Sequence, residues 1–138
     1  MYNIIPYDSS IHKDFVEATI INSMKPLYRS MNSELYFLHA RAYIQNILSL
    51  YTVNVAVDPE DTSHIYGFIV YKAKTYEPNQ VFFLYVKSTF RCNGIGTSLC
   101  LPLHTSRHVY MNLENSKVSL FLKSINLSPW YQPFIMEI

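Results

Sequence analysis

Hydrophobic positions change their period along the chain, and each change marks an element. Tyr2 to Pro6 reads as a first strand, after which Asp8, Ser9 and Ser10 offer helix caps. Ile11, Phe15 and Ala18 follow at helical spacing, and Pro26 is a stop signal. Asn32 or Ser33 caps a second helix carrying Leu35, Leu38 and Ala42, with Ile44 and Leu48 on an adjoining stripe. Val53, Val55 and Val57 then alternate within Thr52 to Val57, the period of a strand. Asp58-Pro59-Glu60-Asp61 is a turn and Ile65 to Ala73 a further strand, so the two form a hairpin with a long loop. Val81 to Val86 is a continuous apolar run, as in a strand buried on both faces.

A helix with Leu99, Leu101 and Leu103 comes next, and Pro102 inside it predicts a kink or an early end. Val109 to Leu113 reads as a strand, Ser116 to Ile125 as a short helix, and Phe134 to Ile138 as a last strand. The predicted order is strand, two helices, three strands, then helix, strand, helix, strand: an α/β chain with a mixed sheet. No repeat, linker or low-complexity tract interrupts it, so residues 1–138 are read as one domain.

Composition narrows the class. Hydrophobic residues make up 49% and charged residues 15% of the 138, which is globular and argues against disorder. No apolar run approaches the roughly 18 residues of a spanning helix, and Met1 to Pro6 carries no basic segment of a secretory signal. Cys92 and Cys100 do not make a disulfide framework, and on one helix they would stand about 12 Å apart at 1.5 Å per residue. A reducing, cytoplasmic compartment is expected. The net charge is +1, too little for a strongly basic nucleic-acid module. It is unevenly spread: residues 1–80 hold 6 basic and 8 acidic side chains, and residues 81–138 hold 5 and 2. The C-terminal part is therefore the better place for an anion.

That part also holds two of the chain's three glycines. The apolar strand runs into Phe90-Arg91-Cys92-Asn93-Gly94-Ile95-Gly96, which opens a helix. Unpaired N–H groups at a helix start suit a phosphate, glycines let the backbone close on it, and Arg91 adds a fixed charge. A P-loop needs a Lys after Gly96 and a dinucleotide fingerprint needs a Gly at Leu99, so both fail on spacing. The pattern Arg91, Gly94, Gly96 resembles the coenzyme A pyrophosphate loop of the GNAT superfamily of N-acyltransferases. Leu84 to Phe90 is similar to that family's splayed fourth strand and its turn. The predicted element order is also the family's, with helices on both faces of a mostly antiparallel mixed sheet and a cleft between strands four and five. Downstream, the family's Asn, Ala, Tyr and Gly positions fall on Asn115, Val118, Leu122 and Asn126. Phe121-Leu122-Lys123-Ser124 further resembles phage-encoded members, for which the cytoplasm would be the host's.

The resemblance implies an acyl-CoA-dependent N-acetyltransferase acting on a primary amine, with acetyl-CoA as donor. Backbone N–H groups of Arg91, Cys92, Asn93, Gly94, Ile95 and Gly96 would hold the pyrophosphate, with the Thr97 hydroxyl beside them. The pantetheine arm would pair with Leu84, Tyr85 and Val86, where a backbone N–H polarises the thioester carbonyl. Asn115 matches a pantetheine contact and is equally placed to cap the following helix. The family's general acid, a Tyr, is replaced by Leu122, which cannot protonate the leaving thiolate. No general base stands out; Glu77 or Tyr85, which alternates to the face opposite Leu84 and Val86, would relay a proton through water. Dimerisation, common in the family through C-terminal strands, is a further expectation.

Cys100, His104 and His108 recur every four residues, but Pro102 interrupts the row and no fourth ligand is near, so no metal site is predicted. Tyr36, Phe37, Tyr43 and Trp130-Tyr131 are read as core and groove walls. The alternatives to acyl transfer are a non-catalytic binding or virion-assembly protein of the same fold, and Mom-like DNA base modification.

Overall fold

Asp8 starts the first helix. Its Oδ1 accepts from the Ser10 amide at 3.0 Å and the Ser10 hydroxyl at 2.7 Å, and these bonds hold the carboxyl below its ordinary value. The computed structural model describes residues 1–24, 33–73, 78–113 and 115–131. Within these, β1 (Asn3–Pro6) is followed by α1 (Ser9–Met24) and α2 (Ser33–Leu50), then β2 (Thr52–Asp58), β3 (Asp61–Lys72) and β4 (Asn79–Val86). A short helix α3 (Ile95–Leu99), β5 (His108–Met111), α4 (Ser116–Ser124) and β6 (Ser128–Tyr131) complete the order. The six strands form one sheet in chain order. β1 to β4 pair antiparallel, and β4–β5 and β5–β6 pair parallel.

The sheet is covered on both faces, as the mixed α/β reading expects. α1 and α2 pack Val16, Ile20, Ile44 and Ile47 on Val53, Val55, Phe68 and Val70. On the other face Leu99, Leu103 and Leu122 pack on Ala56, Ile69, Val81 and Val109. From Ile65 to Tyr71 every described position of β3 except the backbone-only Gly67 carries a buried side chain, which suits a strand between two layers.

Three expectations need correction. In α1 the buried stripe is His12, Val16, Ile20 and Met24, while Ile11 and Ala18 are exposed. In α2 it is Tyr36, Ala40, Ile44 and Ile47, while Leu38 is 70% exposed and Ala42 faces out. The hairpin between β2 and β3 has a tight turn, because Asp58 pairs with Asp61. The Asp58 and Asp61 carboxylates accept from the Glu60 and Ser63 amides and fix that corner. β6 lies at Ser128–Tyr131; Phe134 to Ile138, read as the last strand, falls outside the described residues. Pro102 does end the helix early: α3 is five residues long and a 3-10 turn, Leu101–Thr105, follows it.

His12 explains the shifted stripe. Its Nδ1 accepts from the Asp8 amide at 3.0 Å, so Nε2 carries the proton and donates to the Thr62 carbonyl at 2.8 Å. A fully buried imidazole thus ties the start of α1 to β3. His12→Leu keeps the bulk and leaves both partners unpaired. It is expected to cost about 1–2 kcal/mol, read as a lower urea midpoint with an unchanged slope.

Candidate functional site

The site follows from how β4 is laid. Val70 pairs with Phe83 but Tyr71 pairs with Val81, so Phe82 is an extra residue in the ladder. Phe82 and Phe83 both face the α1–α2 layer, and the strand then resumes alternation. Leu84 and Val86 turn to the α3–α4 layer, and Tyr85 returns to the α1–α2 side. On its other edge β4 pairs with β5 only through Asn79, Gln80 and Val81. The last bond there runs from the Asn112 amide to the Val81 carbonyl at 3.2 Å. Beyond it, residues 82–86 have no strand partner on the β5 side among the described residues. This is the splayed cleft that the sequence reading expected.

Gly67 sets the other edge. It pairs with Val86, and a Cβ there would sit 2.5 Å from the Tyr85 carbonyl oxygen. Its missing side chain lets the end of β4 lean onto β3 as it leaves β5. The Lys87 amide donating to the Tyr66 carbonyl at 2.8 Å holds that position.

The chain then makes a 3-10 turn, Ser88–Phe90, and enters the loop from Arg91. Arg91 Nε donates to the Val86 carbonyl at 2.9 Å, which spends one of five donors and anchors the guanidinium over the end of β4. Cys92 has φ 65° and Gly94 has φ 80°, so two left-handed residues fold the loop into a concave turn. Gly94 is the N-cap of α3. Arg91, Cys92, Asn93, Gly94 and Thr97 are exposed, Gly96 is half-buried and Ile95 is buried. Among the described residues the N–H groups of Cys92, Asn93, Gly94, Ile95, Gly96 and Thr97 form no loop or cap hydrogen bond. They are the unpaired donors that an anion would use. Gly96 has a further role: a Cβ there would stand 2.9 Å from the tip of the Phe121 ring, so it lets α4 lie close on α3.

Asn115 is the N-cap of α4, its Oδ1 accepting from the Lys117 and Val118 amides at 3.0 and 3.1 Å. Leu122 is fully buried in the core. Asn126 has φ 69° and ends α4; its amide donates to Lys123, and the Leu127 amide to Leu122, closing a left-handed cap. Tyr85 is half-buried, its ring 6.2 Å from Phe15 and 5.8 Å from Phe68. Lys87 Nζ lies 4.9 Å from the centre of the Phe15 ring, so the α1–α2 side of the cleft is aromatic with one cation at its rim. Glu77 lies outside the described residues. Tyr36 is buried and donates to the Ile21 carbonyl, but Trp130 and Tyr131 are more than half exposed and wall no core. His108 Nδ1 accepts from Trp130 Nε1 at 3.2 Å, which ties β5 to β6.

Three residues at the site lay outside the sequence reading. Gly67 is one. Tyr2 is another: its hydroxyl reaches the Gly94 carbonyl at 3.2 Å and Ser98 Oγ at 2.6 Å, pinning α3 to the N-terminal segment. Asn112 is the third; it is buried where β4 and β5 part, and its Oδ1 has no partner among the described residues. The only signal for it was an amide directly after the apolar run of β5.

The two thiols differ sharply. Cys92 is exposed on the loop, whereas Cys100 is buried and burial pushes its thiol up to about 12. Titration with a thiol reagent is therefore expected to modify Cys92 alone in the folded protein and both thiols after unfolding. Rapid native-state loss of both would contradict the burial of Cys100.

No family model matches the chain, and no curated protein matches it. Solved structures do share its fold. A protein of Pyrococcus furiosus described as a candidate acetyl transferase is 16% identical, with 100% of this chain and 99% of that one covered and a TM-score of 0.66. A GNAT family acetyltransferase from Streptococcus pneumoniae is 18% identical over 93% and 88% of the two chains, TM-score 0.50. AAC(6′)-Iy, solved with the bisubstrate analogue CoA-S-monomethyl-acetylneamine, is 10% identical over 100% and 97%, TM-score 0.55. The chain has the fold of these acetyltransferases.

Proposed function

We propose that the protein is an acyl-CoA-dependent N-acyltransferase that moves an acetyl group to a primary amine. One observation carries the reading: the unpaired edge of β4 runs directly into a concave loop of free N–H groups beside an arginine. An extended amide-bearing arm that ends in a pyrophosphate has complementary groups in that order, hydrogen-bonding edge first and anion cradle second. The shared fold with AAC(6′)-Iy, solved with a CoA-derived analogue, supports it.

Residues 84–86 would hold the arm and residues 91–97 the pyrophosphate, with the Asn115 amide nitrogen free to add a bond while its oxygen caps α4. The donor supplies an activated thioester carbonyl. A backbone N–H on the free edge of β4 polarises that carbonyl. The aromatic wall of Phe15 and Tyr85 receives the amine and excludes water, and Tyr85 relays its proton outward. Leu122 cannot protonate the departing sulfur. A thiol of pKa about 8.5 leaves tolerably as thiolate near neutral pH, so positioning and polarisation carry the reaction without the roughly 10²–10⁴-fold help of a general acid.

Cys92 reports on the proposal because it is an exposed residue of the cradle loop. Saturating acetyl-CoA is expected to slow its alkylation by iodoacetamide at least about tenfold, since a bound pyrophosphate covers the loop and the reagent must wait for the ligand to leave. An unchanged rate at millimolar acetyl-CoA overturns the cradle. The buried Leu122 favours a second reading, a CoA-binding module without turnover. Protection of Cys92 with no thiol release across a panel of primary amines selects it.

A further inference from the structure

α1 and α2 do not close against each other along their outer sides. They leave a groove of about 470 Å³, within the range of small-molecule sites. Lys13, Asp14 and Glu17 line it from α1, and Phe37, Arg41 and Gln45 from α2. Glu17 is 6% exposed and lines the groove, into which that remaining exposure opens. Among the described residues it forms no hydrogen bond and no ion pair, and neither Asp14, Lys13 nor Arg41 has an ion-pair partner. Its stem is buried while its carboxylate oxygens stay open to the groove, so an unpaired charge is held in place at the groove wall.

The charges identify that group. A simple anion would meet Asp14 and Glu17, and a simple cation would meet Lys13 and Arg41. A molecule carrying both signs close together satisfies both halves of the wall. We propose that this groove binds a small zwitterion of the α-amino-acid type, its ammonium on Glu17 and Asp14 and its carboxylate on Arg41 and Lys13. Phe37, one turn before Arg41 and partly exposed, favours an apolar side chain on that ligand. The inference is independent of acyl transfer and is tested without acetyl-CoA.

Three probes at about 10 mM separate the possibilities by thermal shift and calorimetry on the full chain: L-leucine, L-leucine amide, which lacks the carboxylate, and 4-methylpentanoate, which lacks the ammonium. Leucine is expected to raise the midpoint, and each analogue to raise it by less than half as much. Glu17→Gln is expected to weaken leucine at least about tenfold, as loss of a charge-assisted pair does. Arg41→Gln, an exposed change that spares the core, is expected to weaken leucine similarly. No response to leucine, an equal response to either analogue, or full binding by both variants overturns the proposal.

Discussion

Arg91→Ala combined with Gly94→Val is expected to abolish the stabilisation that acetyl-CoA gives the wild-type protein. A ligand present at about 100 times its dissociation constant adds about 2.7 kcal/mol, which moves the midpoint of a domain this size by roughly 10 °C. The two changes remove different parts of the cradle. Arg91→Ala deletes the guanidinium and its bond to the Val86 carbonyl, so the charge beside the anion goes and the end of β4 loses an anchor. Gly94→Val puts a β-branched residue at φ 80°, where side chains other than glycine are strained by about 1–3 kcal/mol. The strained turn relaxes, and the N–H groups no longer converge. A Cβ at Gly94 has open space, with Tyr2 Oη nearest at 3.8 Å, so the effect is one of backbone geometry and not of a clash. The strain also lowers the ligand-free midpoint. The reading is therefore the shift on adding acetyl-CoA, with Arg91→Ala alone as the control that keeps the fold. A shift of wild-type size in the double variant removes the loop from the binding site. No shift in the wild-type protein at millimolar acetyl-CoA removes acyl transfer itself.

The order of elements was legible because each has a local cause: caps at Asp8 and Asn115, alternating valines in β2, Pro102 after α3. The faces of the two long helices were not. In α1 the buried stripe includes His12 and Glu17, two polar residues that a count of apolar positions assigns to solvent. Their burial rests on distant elements, the Thr62 carbonyl that bonds His12 and the neighbouring α2 that covers Glu17, which no window along the chain contains. In α2 the buried Tyr36 and Ala40 are less hydrophobic than the exposed Leu38, and tertiary packing overrides the pattern. β6 escaped for a similar reason. Ser128-Pro129-Trp130-Tyr131 has no alternation and contains a proline, and only pairing with β5 and the Ser128 amide on the Arg107 carbonyl make it a strand.

The loop was legible in its spacing but not in its division of labour. Gly94 serves the turn, as its position before a helix suggested, whereas Gly96 serves the contact between α3 and α4. Asn126, which the resemblance sets at a glycine position, adopts the left-handed conformation that asparagine tolerates better than most residues. Tyr2 was invisible because its partner Ser98 lies 96 residues away.

Gly67 is where the shape of the cleft is most exposed to a single change. Gly67→Ala is expected to destabilise the protein by about 3 kcal/mol, the upper end of overpacking penalties, and to lower the urea midpoint with little change of slope. The added methyl would meet the Tyr85 carbonyl oxygen at 2.5 Å and Val86 Cα at 3.1 Å. Both are backbone atoms, so no side chain can rotate away; β3 and the end of β4 must part. Parting them lengthens the Lys87–Tyr66 bond and drags the Val86 carbonyl from Arg91, so acetyl-CoA binding is expected to weaken along with stability. Gly96→Ala supplies the contrast. Its methyl meets only the tip of the Phe121 ring, which can tilt aside, and about 1 kcal/mol is expected. If Gly67→Ala costs no more than Gly96→Ala, the lean of β4 onto β3 is not what opens the cleft. The extra residue at Phe82 then suffices alone, because it rotates the strand's side chains directly after Val81, the last residue of β4 that pairs with β5.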